Sequence, residues 1–334
     1  MPKIENFCIQ SQLLRGNWMG DSSDRYAAIY KPPMGIDSNE LWMVYFLCGW
    51  SGNGQDVLGD RGVFAPSLAQ LLDQGISEGK IPPVVLVSVD GSTRFGSSQY
   101  INSELFGPHM DHMEQEIIPE VETYVGFSGG AEKRILMGHS SGGFASLAFA
   151  MLKPKVVSHI ASFAGDCWYE HLYRSMIPQS IGVYEKYKGF GNFIEQFFSK
   201  PNPMSQSSGP EIETMMMLNM CQCYAPNKNI EKIFADVFFD PENGELREEI
   251  WKKFLQWDPL HMLEKHKDSL SRLKTLSLQA GKGDQYGLQL GHRQLSKKLT
   301  RFNIKHELKE FEAKHGGYYF RYFDTIEEIT NSFA

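Results

Sequence analysis

Two runs in this sequence, LWMVYFLCGW (41–50) and PPVVLVSVDG (82–91), are β-formers with no polar alternation. A strand with one wet face alternates apolar and polar residues, so strands like these must be covered on both faces. RILMGHS (134–140) and HIASFAG (159–165) continue the series, with stretches at helical spacing between the runs. Such strand–helix alternation implies a mostly parallel sheet between two layers of helices. Right-handed crossovers then gather the strand C-terminal ends at one edge, where open α/β sheets bind ligands.

IENFCIQSQLL and DRYAAIYKPP read as an opening pair of strands, the second ended by Pro32 and Pro33. A helix is expected around Ala65–Leu72, and another over DHMEQEIIPEVETYV (111–125) with a kink or boundary at Pro119. From about Asp166 to Leu270 the rhythm breaks. Helices are expected there around Ile181–Lys200, Glu211–Cys223, Asn229–Phe234 and Glu245–Gln256. The alternation then resumes: strand TLSLQAGKGD (275–284), helix Leu290–Phe302, strand KHELKEFEA (305–313) and helix Tyr318–Phe333. We therefore expect an α/β core from 1–165 and 271–334, with a helical cap inserted at 166–270.

The 334 residues carry a formal net charge of −7, which supplies no basic field for nucleic acid. No window approaches the apolar length of a membrane span, and MPKIENFCIQSQLL lacks a charged-then-apolar leader pattern. The five cysteines form no framework, and Cys221 and Cys223 make an isolated CxC with no matching pair. Reduced thiols in a cytoplasmic protein are the expectation, with no metal and no cofactor. Oligomeric state is open, a homodimer included.

The chemistry concentrates at GHSSGG (138–143), which fits GxSxG through Gly138, Ser140 and Gly142. A strand precedes it and a helix follows. That is the context of a nucleophile elbow, where small neighbours let a strained turn present the serine; the alternative is a turn that merely lets a helix pack close to a strand. A serine hydroxyl needs a base, and the base needs a carboxylate to hold its tautomer. AGKGDQY places Asp284 past one strand end, and EAKHGGYYF places His315 past the next. Asp166, after the strand that follows the nucleophile helix, competes for the role of acid. His139, inside the elbow, is too constrained to serve as base and is expected to support the turn. An oxyanion needs two N–H donors. Ser141 offers one, and the loop LCGWSGNG (47–54) offers Trp50 as the other.

At these residues the chain resembles the putative-esterase family of α/β-hydrolases, which includes esterase D (S-formylglutathione hydrolase), enterochelin esterases, feruloyl esterases and mycolyltransferases. YFLCGWSGN, RILMGHSSGG, GKGDQY and KHGGYYFRYF carry the resemblance. It implies an α/β-hydrolase fold and ester cleavage through an acyl-enzyme, with the second oxyanion donor at Trp50. The long gap between Ser140 and Asp284 departs from the compact esterase D type and places the inserted helices beside the site. Trp168, Tyr169, Gln99 and Tyr100 are candidate substrate contacts, the last two on a loop that reads equally as ordinary surface. Met215–Met217 and Met220 are either a pliable pocket wall or helix-packing core. Acyl transfer to an alcohol, or a non-catalytic scaffold, are the alternative functions for a small-molecule ester site of this kind.

Overall fold

The computed structural model describes residues 2–32, 40–59 and 65–333. Pro33, read above as a strand terminator, lies outside them. The strands are β1 (Lys3–Gln10), β2 (Asp24–Lys31), β3 (Trp42–Leu47), β4 (Val84–Val89), β5 (Arg134–His139), β6 (His159–Phe163), β7 (Thr275–Gly281) and β8 (Glu307–Phe311). They form one sheet in the order β1-β2-β4-β3-β5-β6-β7-β8. β1 and β2 form an antiparallel pair, and β2 joins β4 antiparallel. From β4 to β8 every pairing is parallel. Every residue of β3 and β4 is buried, as their unbroken apolar runs require.

The main helices are α1 (Leu68–Ser77), α2 (Ile118–Val125), α3 (Ser141–Leu152), α4 (Ile177–Tyr187), α5 (Phe190–Ser199), α6 (Gly209–Tyr224), α7 (Glu248–Leu255), α8 (Pro259–Leu270), α9 (Leu288–Arg301) and α10 (Tyr319–Ser332). α3 packs on β3, β5 and β6, while α10 packs on α1. Ser67 caps α1 through a reciprocal capping box with Gln70. The kink expected at Pro119 takes the form of a wide turn at Met113–Ile117, immediately before α2. Proline has no N–H and its ring crowds the carbonyl four residues back, so the backbone widens there.

Three expectations for 166–270 need correction. The stretch Ile181–Lys200 is two helices, broken where Lys188 (φ 56°) and Gly189 (φ 127°) leave the right-handed region. Asn229–Phe234 is not helical: Lys232 and Phe234 have positive φ, and a bridge between Pro226 and Ala235 closes the turn. Finally, α8 buries Leu260, Met262, Leu263 and Leu270 and packs on α3 and α9. It is a layer of the α/β sandwich, so the helices that pack on one another apart from the sheet end with α7. All five cysteines are free thiols. Among the described residues no helix is long and apolar enough to cross a membrane.

Candidate active site

Ser140 sits between β5 and α3 with φ 56° and ψ −122°, a conformation that costs an L-residue about 1–3 kcal/mol. The strain is sustained by close packing. A Cβ on Gly142 would lie 1.9 Å from the Leu47 carbonyl oxygen, and one on Gly138 would lie 2.4 Å from that of Gly142. Only glycine fits either position. The Ser140 N–H donates to Phe163 O (2.9 Å), and its carbonyl accepts from the Phe144 N–H at the start of α3 (2.9 Å). The turn therefore cannot relax without tearing β5 from its neighbours.

Asp284 and His315 come from the loops after β7 and β8, which are tied together. Gly283 N–H donates to Ala313 O (3.0 Å), and Tyr318 Oη accepts from Gly281 N–H (2.8 Å) while donating to Lys314 O (2.8 Å). These bonds bring three side chains into line. Ser140 Oγ lies 3.0 Å from His315 Nε2, and His315 Nδ1 lies 2.8 Å from Asp284 Oδ2. The second Asp284 oxygen accepts from the Tyr286 N–H (2.9 Å), and the carboxylate is fully enclosed. With Nδ1–H donating to the carboxylate, Nε2 is left with its lone pair toward the serine. His139 Nε2 donates to the His315 carbonyl (2.6 Å) and so holds the backbone of that loop. Removal from water, with His315 beside it, pushes His139 down to about 3, so its ring stays neutral. Asp166, the rival acid, does not bond His315. It accepts from Tyr173 Oη at 3.1 Å.

The loop after β3 lies against the elbow: a Cβ on Gly49 would stand 3.3 Å from Ser140 Cβ. Among the described residues, no group accepts from the backbone N–H of Trp50 or of Ser141. Gln99 and Tyr100, expected to touch substrate, instead brace this region from beneath. Both have φ 52° and both are buried. Tyr100 Oη accepts from the Cys48 N–H (2.8 Å) and donates to Val89 O (3.0 Å). Gln99 Nε2 donates to Ser141 Oγ (2.8 Å). Asn219 on α6 completes the brace, its Oδ1 accepting from the Trp50 indole (3.0 Å) and from the Ser97 N–H (2.9 Å). Nothing in the pattern of TMMMLNMCQCY singled Asn219 out; a polar residue on an otherwise buried helix is the one available signal.

A cavity of about 210 Å³ opens on Ser140 and His315, lined in part by Gly49, Trp50, Asp166, Leu172 and Tyr173. Met216, Met220, Tyr286 and Leu288 close the rest. The methionine stripe thus divides by helical face: Met216 and Met220, four residues apart, meet the cavity, while Met215 and Met217 are buried core. Trp168 and Tyr169 are not in the cavity wall. Trp168 (φ 62°) stacks on His171, and Tyr169 is buried with its hydroxyl on that of Tyr224 (3.0 Å). Leu172, Tyr173, Tyr286 and Leu288 were missed. Tyr286 was within reach of sequence reasoning, lying two residues past Asp284 in GKGDQY.

Glu170, Asp258 and His261 are close enough to hold a metal ion. Asp258 is already engaged as a cap, accepting from the N–H groups of Trp168, Tyr169 and Leu260, and His261 pairs with Glu170. Cys221 and Cys223 share no partner. The first contacts Met217 Sδ and the second Ser97 O, and burial pushes both thiols up, away from the ligating thiolate.

Comparison with known proteins adds to this geometry. The family described as "Putative esterase" matches residues 28–326. A search of curated proteins returned no match. A solved ferulic acid esterase aligns with a TM-score of 0.63 and 11% identity, covering 99% of this chain and 98% of the other. FphF, a fluorophosphonate-binding serine hydrolase of Staphylococcus aureus, aligns with a TM-score of 0.59 and 12% identity over 99% and 98%. An S-formylglutathione hydrolase from Agrobacterium tumefaciens gives 0.56 and 13% over 99% and 94%. At these identities the likeness is one of fold, and that fold is the α/β-hydrolase.

Proposed function

The chain belongs to the putative esterase family and is by that membership a carboxylic ester hydrolase; from this premise we propose that it cleaves esters through an acyl-enzyme on Ser140. The observation that carries the reading is the unbroken line Asp284–His315–Ser140, with contacts of 2.8 and 3.0 Å. Ser140 Oγ attacks the ester carbonyl as His315 Nε2 takes its proton. Asp284 holds the imidazole tautomer and stabilises the imidazolium that forms. The carbonyl oxygen becomes an oxyanion held by the Trp50 and Ser141 N–H groups, an interaction typically worth about 3 kcal/mol per donor. Collapse expels the alcohol, protonated by His315. Water, activated by the same imidazole, then attacks the acyl-enzyme and restores Ser140. No step needs a metal or an organic cofactor.

In this reading the helical segment acts as a cap that selects substrate. Leu172, Tyr173, Met216 and Met220 are its contribution to the cavity lining. The cavity volume of about 210 Å³ is below the roughly 300–1,000 Å³ of ordinary ligand pockets, which favours a short acyl chain or a single ring. The test is labelling by a fluorophosphonate probe together with p-nitrophenyl acetate turnover. Wild type should label and turn over while Ser140→Ala does neither. A well-folded wild type that resists the probe would leave a scaffold without chemistry.

A further inference from the structure

The cavity contains one charged group that the proposed mechanism does not use. Asp166 follows β6, at the same sheet edge as Ser140, and its side chain lines the cavity shared by Ser140 and His315. It bonds neither of them, because the imidazole is already held by Asp284. Its bonded partner is the hydroxyl of Tyr173, itself buried and in the same wall. The same cavity is lined by Leu172, Met216, Met220 and Leu288. A carboxylate in such a wall is costly unless it is well paired, and its close donors are neutral, the Tyr173 hydroxyl and the Gln99 carboxamide, while the nearby His315 imidazole is held by Asp284. The cost is visible in its acidity: burial pushes Asp166 up to about 6. A group that supported only the fold would be cheaper as a leucine or an asparagine.

Resting on the esterase reading, we infer that Asp166, oriented by Tyr173, accepts a hydrogen bond from a donor group on the substrate. The preferred esters then carry a hydroxyl or an ammonium on an otherwise apolar portion seated in this cavity. The geometry gives the preference a direction. Apolar contacts with the methionines and leucines bind either member of a matched pair, whereas only the donor-bearing member relieves the buried carboxylate. A site built around a polar partner rejects the analogue that lacks it far more strongly than an apolar pocket rejects a missing methylene.

The experiment measures kcat/KM for matched esters. Ethyl butanoate, ethyl 3-hydroxybutanoate and ethyl 3-aminobutanoate place the donor in the acyl part. Butyl acetate and 4-hydroxybutyl acetate place it in the alcohol part. Wild type should favour a donor-bearing ester by about tenfold or more in one arm. That arm identifies which half of the ester enters the cavity, and the hydroxyl and amino members separate the two donor types. The preference should shrink in Asp166→Asn and Tyr173→Phe and invert in Asp166→Leu. Wild type that favours neither donor-bearing ester, or a preference that survives in both Asp166→Asn and Tyr173→Phe, would overturn the inference. Because the first criterion is read on wild type, it stands even if Asp166→Leu fails to fold. Turnover without a donor preference overturns this inference alone; no turnover of any ester, with Ser140 inert to fluorophosphonate, overturns the esterase reading with it.

Discussion

Two aspartates, each just past a parallel strand, hold different positions in the same cavity region. Asp284 is fixed from all sides: its loop is stitched to the β8 loop by backbone bonds, and its oxygens are taken by His315 and Tyr286. Asp166 begins the helical segment and has a tyrosine from that segment as its bonded partner. The sheet edge thus positions its functional groups through the backbone, which leaves little freedom. The helical side positions its groups through side-chain packing, which is easier to vary. Chemistry that must be held within a few tenths of an ångström belongs on the first, and selectivity that differs between relatives belongs on the second.

That contrast is open to attack in several ways. The largest expected effect is at the serine: Ser140→Ala should lower kcat on p-nitrophenyl acetate by up to about 10⁶ and abolish probe labelling. Asp284→Asn should cost about 10⁴ in kcat through the wrong histidine tautomer, whereas Asp166→Asn should act mainly through KM. A greater loss of kcat at Asp166 would exchange the two roles. Acid should weaken the frame next. Burial holds His109, His159 and His292 below their ordinary value, the last two at about 4. As pH falls below about 6.5, the unfolded chain takes up protons that these folded sites refuse. Their contribution, complete above that pH, is lost as it falls toward 4, by at most about 1.4 kcal/mol per pH unit each. Asp166 opposes them: its folded value is raised, so what it adds is complete at low pH and disappears as pH rises through about 6. His139 and His112 are held low as well, while Asp21 and Asp258 are raised like Asp166; the lowered imidazoles outnumber the raised carboxyls, and thermal melts should show a net loss of several kcal/mol from about pH 6.5 to 4.5. A flat profile would mean that water reaches those imidazoles.

Gly142→Ala should destabilise by a similar amount, about 4 kcal/mol in denaturant unfolding, because its methyl has nowhere to go beside Leu47 O. Tyr100→Phe is milder. It leaves the buried Cys48 N–H without its partner, for about 1–3 kcal/mol of stability. It should also lower kcat more than it raises KM, since the same loop carries the Trp50 N–H. An unchanged kcat would show that the brace supports folding only.

The same contrast explains what could be read from the sequence. Ser140, Asp284 and His315 were legible because each stands at a strand end, and strand ends announce themselves through apolar runs and glycines. The mostly parallel sheet between helices followed from the same alternation, whereas the order of its strands did not. Gln99 and Tyr100 were misassigned because nothing in FGSSQYINS reveals that the loop turns inward with two successive residues at positive φ. Trp168 and Tyr169 failed for a related reason. Both sit after a strand, yet the cap formed by Asp258 pulls their backbone aside, and Leu172 and Tyr173 reach the cavity instead. Asn229–Phe234 has helical spacing in NIEKIF, but spacing over so short a run loses to a turn pinned at both ends.

Asn219 joins these two regions, since a single carboxamide oxygen on α6 receives both the Trp50 indole and the Ser97 amide. The inserted helices are therefore not an interchangeable module. Transplanting another protein's insertion onto this sheet, however well its apolar face matched, would leave the indole with the Phe95 carbonyl as its remaining acceptor and the Ser97 amide without the oxygen that ties it to the indole. Exchanges of substrate range in this scaffold should accordingly succeed when they travel with an acceptor at this one helix position and fail without it.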